Sequence, residues 1–340
     1  MAAAQVLTRA RQLADEVLFP SAMNVDAADR VPPEHFDALA AAGLYGLAGP
    51  AEAGGLDVDL ATFCAVIEIM AGGSLATAFV WLQHHGAVRA LSASPSSALS
   101  AKWLAPLCAG ARRAGVALGG ARPGPPPLRA RPAPGGYLLD GTAPWVTGWD
   151  MIDVVHTLAR DEAGNVVAAL LPAVTSASLA ADPLRLAAVN ASRTVQLRFT
   201  AHFVPADLVT GVMPMAVWQT RDAAGLRANG SLALGLTGRC TRLMAELRAD
   251  APAALLEVEL TAARDQLDAA NSASMPAARA TAAELAFRAA GALVVAAGSR
   301  SIMIDQHPQR LAREASFLLV FGSRPAIKED LLTRLTSPRA

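Results

Sequence analysis

Asp140-Gly141-Thr142-Ala143-Pro144-Trp145-Val146-Thr147-Gly148 is the stretch on which the reading of this chain turns. It opens on a turn dipeptide, Asp140-Gly141, and closes on a glycine. Between them an aromatic and a hydroxyl stand two residues apart. On an extended strand that spacing puts Trp145 and Thr147 on one face. A flat indole beside a hydroxyl suits a planar, hydrogen-bonding ligand. A core tryptophan with a neighbouring strand threonine satisfies the same pattern.

The flanks of this stretch have the same texture. Between Gly115 and Pro205 glycine and proline are dense, and Val195, Leu197 and Phe199 alternate with Gln196, Arg198 and Thr200 as in a half-buried strand. Gly135-Gly136 and Ala163-Gly164-Asn165 add further turns. Residues 114–212 are therefore expected to form a β domain of several short strands, a sandwich or a barrel. The run from Pro123 to Pro134 reads as a connection between two of its strands.

On either side the period becomes helical. In residues 1–113, Pro32-Pro33 sits at a helix start and Gly43 and Gly46 at its end. Asp59, Ser74, and Ser96 or Ser97 are placed to cap three later helices, with Gly72-Gly73 expected to stop the first of them. In residues 213–340, Asp250 with Pro252 and Ser274 with Pro276 start long Ala- and Leu-rich helices. Gly298 and His307-Pro308 then break the pattern. Long helices with short connections predict an antiparallel bundle. The expected class is α+β: an N-terminal helical domain, a middle β domain and a C-terminal helical bundle.

Composition narrows the function. The 340 residues carry 29 basic and 29 acidic side chains, a formal net charge of zero, which argues against a nucleic-acid surface. Hydrophobic residues make up 53% and charged residues 17%, the balance of a globular chain. No run of about 18 apolar residues suggests a membrane span, and residues 1–16 lack the apolar core of a secretory signal. Cys64, Cys108 and Cys240 give neither a disulfide framework nor zinc spacing, and a reduced cytoplasmic setting is expected. No GxGxxG, P-loop, HExxH or GxSxG is present. His84 and His85 are adjacent and point about 100° apart on a helix, so they do not share an ion, and no metal site is expected.

Several segments, in order along nearly the whole chain, resemble the acyl-CoA dehydrogenase flavoprotein family. Phe36 to Leu47 followed by Pro50-Ala51-Glu52-Ala53-Gly54-Gly55-Leu56 resembles its early helix and P-x-E-x-G-G-L loop. Asp140 to Gly148 resembles its D-G-x-K-x-W-I-T-N strand. Leu197 to Leu208 resembles the closing strand of its β domain, and Arg310-Leu311-Ala312-Arg313-Glu314-Ala315 the helix before its C-terminal active-site loop. The resemblance implies FAD as cofactor and an acyl-CoA or other acyl thioester as partner. Its implied cofactor contacts are Gly119, Trp145, Val146, Thr147, Gly298 and Ser299, with Trp145 and Thr147 against the isoalloxazine ring. It also implies an oligomer, a dimer or tetramer joined through the C-terminal bundle.

The departures bear on the chemistry. Ala117 to Gly124 stands where the family has A-L-T-E-P-x-x-G-S-D, so Gly119 and Gly120 offer only backbone groups. Ala249 to Leu260 lacks the Arg-x-x-Phe-Gly segment that grips the pyrophosphate. Ala296-Ala297-Gly298-Ser299 keeps one glycine of a Gly-Gly stretch. Val320-Phe321-Gly322-Ser323 occupies the Y-E-G-T position of the glutamate base, and Gly225 to Asn229, the other place where the family carries it, has no carboxylate. Glu314 lies about 12 Å up the helix by rise and is spaced to pair with Arg310. No catalytic residue is assigned. The implied function is FAD-dependent oxidation of the Cα–Cβ bond of an acyl thioester without the usual glutamate. The alternatives are a flavin monooxygenase of the same fold, or a catalytically silent subunit in a hetero-oligomer with an active homologue. Arg122, Arg129, Arg131, Arg221 and Arg227 are the cations available to CoA phosphates.

Overall fold

Helix starts written in the sequence are capped as their chemistry requires. The Asp59 carboxylate accepts from the Thr62 N–H at 2.7 Å and opens α4 (Leu60–Gly73). Ser74 Oγ accepts from Thr77 N–H and opens α5 (Leu75–Ser92). Ser96 does the same for α6 (Ser97–Cys108) through Leu99 N–H. Ahead of them lie α1 (Ala3–Leu13), a π turn (Ala14–Leu18), α2 (Phe19–Ala27) and α3 (Pro33–Ala41). This is a computed structural model that describes residues 3–122 and 124–337, with the backbone alone for Arg221, Ala223 and Ala224. Pro123, at the head of the proline run, lies outside the described residues.

The middle segment holds β1 (Ala114–Ala117), β2 (Leu128–Ala133), β3 (Gly136–Val146), β4 (Val154–Arg160), β5 (Asn165–Pro172), β6 (Leu179–Pro183), β7 (Val195–Pro205) and β8 (Val209–Pro214). They form one eight-stranded sheet in the order β6-β7-β3-β2-β4-β5-β8, with β1 on β4. A single parallel pairing, Arg129 with Arg160, joins β2 to β4. At that narrow seam the sheet folds over. Leu139, Ala143 and Leu197 from one half and Val155, Val167 and Leu171 from the other then share one apolar core. The proline run leads into β2, and Pro132 lies within that strand.

The chain then returns to helices: α7 (Met215–Glu246), α8 (Asp250–Ala269), α9 (Met275–Ala297), α10 (His307–Val320) and α11 (Pro325–Thr336). α7 packs on α4, α8 and α9, and α10 and α11 pack on α9. Met275–Ile302 is long and apolar enough to cross a membrane by length and composition, which the sequence reading did not register. Half of its most apolar 18-residue stretch is buried in the bundle, and the span as a whole carries the buried Arg279 and Glu284.

α4 ends where its glycines predict, at Gly73, with Ser74 extended beyond it. Gly72 and Gly73 also serve close approach. A Cβ on Gly73 would stand 2.9 Å from the Ala14 carbonyl, and one on Gly72 would stand 3.1 Å from the Gly235 carbonyl. Across the contact, a Cβ on Gly235 would collide with the Glu68 carbonyl. Arg239 of α7 bridges the crossing, donating through Nε to the Gly72 carbonyl and through Nη2 to Asp15. Replacing Gly235 with Ala is expected to cost about 1–3 kcal/mol by overpacking this contact. Urea unfolding of Gly235→Ala against wild type checks it.

Candidate functional site

Residues 140–148 form the end of β3 and the loop that leaves it. β3 pairs antiparallel with β7; the register shifts first between Leu139 and Gly141, where β7 carries the extra residue, and again after Ala143 faces Leu197, the next pair being Val146 with Val195. β3 thus spends one residue more than β7 over this step, a β-bulge. The extra residue is absorbed at Trp145, whose φ of +62° is costly for a bulky side chain, about 1–3 kcal/mol. The bulge overrides simple alternation. Trp145 is turned outward, 59% exposed, whereas Val146 is sealed in the β core and Thr147 is only 2% exposed. Trp145 and Thr147 therefore do not present one flat face as a regular strand would. The Thr147 hydroxyl lies 3.2 Å from Thr194 Oγ1, which is 2.8 Å from Ser192 Oγ. The loop beyond is pinned by Gly148 N–H to the Ser192 carbonyl and Trp149 N–H to the Arg193 carbonyl.

Gly119 lies in a tight turn, Gly119–Ala121, beside this strand. A Cβ there would stand 2.7 Å from the Thr142 carbonyl and 2.9 Å from Leu128 Cβ. At Gly120 the neighbour would be the Ala159 backbone. Both glycines are buried and let the turn lie against the strands; the space their missing Cβ atoms leave is filled by the protein itself. Gly298 and Ser299 lie elsewhere, in the exposed turn after α9, where Gly298 has φ +68°. That turn packs on α9 and α10.

The C-terminal loop holds no free carboxylate in the glutamate position. Phe321 stacks on Phe317 (ring centroids 5.4 Å apart) and meets Phe79 edge-on at 5.0 Å. Glu314 is buried and bound by Arg310 Nη1 at 2.9 and 3.0 Å, the pairing that the four-residue spacing predicts. Burial pushes its carboxyl pKa up, against the pull of Arg310. One carboxylate missed by sequence reasoning does reach this loop. Asp222, on α7, is held by Arg324 through Nη2 at 2.7 and 3.0 Å and Nε at 3.1 Å. A hundred residues separate the two, so only the fold shows the pair. Arg227 is likewise taken, by Asp268 and Ser231, and so is not a cation free for CoA; the side chain of Arg221 lies outside the described residues.

His84 and His85 are packing residues. Both are buried, and their rings meet Tyr45, Phe63 and Trp81 edge-on. Among the described residues no His, Cys, Asp and Glu cluster could hold a metal ion. His84 Nδ1 accepts from the Ala114 N–H at 3.2 Å, which ties α5 to the first strand of the β domain.

The resemblance to the acyl-CoA dehydrogenase family holds. Residues 2–111 match the family description "Acyl-CoA dehydrogenase, N-terminal domain", and the whole chain has the fold of that family. Butyryl-CoA dehydrogenase from Megasphaera elsdenii superposes with a TM-score of 0.85 at 17% identity, covering 98% of both chains. A glutaryl-CoA dehydrogenase from Mycobacterium smegmatis, in complex with FADH2, gives 0.86 at 17% identity over 99% of this chain and 95% of its own. Dibenzothiophene monooxygenase from Paenibacillus sp. A11-2 gives 0.80 at 17% identity over 97% of each. No curated protein matches by sequence.

Two predictions follow from this geometry. Trp145→Gly relieves the positive φ and is expected to raise the stability of the ligand-free protein by about 1 kcal/mol, read by urea unfolding. The second concerns pH. Burial lowers the pKa of His84 to about 3 and of His156 to about 4, and holds that of His85 well below its ordinary 6.5. All three are neutral in the fold and take up protons on unfolding once the pH drops below 6.5. Their contribution is thus complete above pH 6.5 and is lost as the pH falls toward 4, at about 1.4 kcal/mol per pH unit for each histidine. Urea midpoints between pH 7 and 4.5 should fall steadily; a flat profile would contradict it.

Proposed function

We propose that the chain is an FAD-dependent oxidoreductase of the acyl-CoA dehydrogenase type, with an acyl-CoA or other acyl thioester as its partner. The observation that carries this is Trp145, a large aromatic held outward at a strained bulge in the strand where the family places the flavin. A protein gains nothing in stability from such an arrangement, which points to a ligand. Trp145 offers the plane on which the isoalloxazine would lie, while the buried Thr147 hydroxyl, paired with Thr194, supports the bulge behind it. Gly119 contributes only backbone. Gly298 and Ser299 belong to an exposed turn suited to close approach by a phosphate-bearing ligand. Bound FAD supplies a two-electron acceptor.

The chain's own residues favour some chemistries over others. Removing a proton α to a thioester calls for a general base, typically about 10²–10⁴-fold in rate. Phe321 stands in an aromatic stack where that base would be, Glu314 is locked to Arg310, and the lone pairs of Asp222 face Arg324. These facts support the second reading, flavin-dependent monooxygenation, which needs no carboxylate at this loop; one of the structural neighbours is a monooxygenase. A silent subunit in a hetero-oligomer fits the same absence. The free, buried cysteines accord with the cytoplasmic setting proposed.

The visible spectrum of the purified protein, after saturation with FAD and desalting, tests the reading. Flavin bands at near-stoichiometric occupancy are expected. Anaerobic bleaching by acyl-CoAs would then favour dehydrogenation, and its absence would favour oxygenation. Trp145→Ala should weaken FAD binding about 2–10-fold, the worth of one aromatic stack. A colourless protein with no affinity for FAD would overturn the enzyme readings for the single chain and leave the silent subunit.

A further inference from the structure

Among the described residues, Arg279 is a buried charge without a carboxylate partner. It sits in the second turn of α9, 1% exposed. Its Nη2 donates to the Phe321 carbonyl at 3.4 Å, while Nε and Nη1 have no partner among the described residues. Buried charges in folded proteins are ordinarily paired, because the cost of removing an ion from water is otherwise uncompensated.

The surroundings supply arginines and carboxylates in unequal number. Arg324 holds Asp222 through two nitrogens, and Arg227 holds Asp268. Each carboxylate thus has its own arginine, and Arg279 is the cation left over. Two further effects oppose its charge. It lies close to the N-terminus of α9, the positive end of the helix dipole, and Arg324 repels it. Burial first, and Arg324 second, bring its pKa down to about 10, so the guanidinium remains charged at neutral pH.

The turn that follows α10 covers it. Phe321, Gly322 and Ser323 are half-buried, and Gly322 turns the chain at φ +62°. Asn229 of α7 faces the same turn, its Nδ2 3.0 Å from where a Gly322 Cβ would stand. A water molecule could accept from Nε or Nη1, but water brings no charge. The missing component is an anion.

We propose that Arg279 is the cationic end of a site for a small monovalent carboxylate beneath the Phe321–Arg324 turn, where Nε and Nη1 donate to the carboxylate and its charge balances the guanidinium. The site is independent of the flavin reading, since it rests on Arg279 alone and on the turn above it. The probe is sodium formate, the smallest carboxylate. Thermal melts of wild type and Arg279→Met are compared at formate concentrations from about 1 to 100 mM, and the difference at each concentration removes the general effect of salt. A ligand that binds only the folded state raises stability by RT ln(1 + [L]/Kd). Wild type should therefore gain a constant increment in Tm for each tenfold rise in formate above Kd, and Arg279→Met none. Parallel responses of the two proteins would overturn the proposal. If Arg279→Met does not fold, the line width of 13C-formate with wild type alone decides. Broadening that Arg279→Lys weakens supports the site; no broadening overturns it. Neither measurement involves flavin or turnover, so a negative result leaves the proposed function standing.

Discussion

The crossing of α4 and α7 is the contact on which the rest of the arrangement depends. Gly72, Gly73 and Gly235 remove side chains where the N-terminal helices and the C-terminal bundle meet, and the backbones close to near van der Waals distance. Arg239 then fastens the two parts by donating to the Gly72 carbonyl and to Asp15, with its guanidinium over the Phe19 ring at 3.8 Å. A single apolar core runs through both helical parts as a consequence; Phe63, Ile67 and Met70 share it with Leu232, Leu236 and Leu285. Because α7 follows directly on β8, fixing α7 against α4 also fixes the β domain between them. It sets where Asp222 and Asn229 meet the C-terminal loop.

Against this rigid frame the candidate site is strained rather than relaxed. The bulge in β3 turns Trp145 out at positive φ while the residues around it, Ala143, Val146 and Thr147, are buried. Strain of this kind persists only where the surrounding structure over-determines it. Here the hydrogen bonds from Gly148 and Trp149 to Ser192 and Arg193, and the Thr147–Thr194–Ser192 hydroxyl chain, provide that support. The C-terminal loop is the reverse case. Its aromatic stack and ion pairs engage the described carboxylates that reach it, while the Arg279 guanidinium of α9 lies under it with Nε and Nη1 unpartnered among the described residues.

Much of the fold was legible because it is written in local chemistry. Asp59, Ser74 and Ser96 cap the helices they precede, Pro33 and Pro276 sit in first turns, and the alternation at Val195 to Phe199 becomes β7. Features that depend on distant partners were not legible. Gly72 and Gly73 read correctly as the end of α4, but their close approach to Ala14 and Gly235 did not show, because those partners lie far away in the chain. Strand alternation placed Trp145 and Thr147 on one face because a bulge depends on the register of β7, which no single-strand pattern reveals. The pairing of Asp222 with Arg324 and the isolation of Arg279 are likewise consequences of topology. The resemblance in the Trp145 stretch was readable because its residue types follow the family's order; the role of each residue depends on the bulge.

The central claim is that this bulge exists to hold a flavin. A crystal structure of the protein grown with FAD tests it most directly. The account predicts an isoalloxazine ring stacked on the Trp145 indole. Full occupancy of FAD at any other surface, with Trp145 left bare, would contradict it.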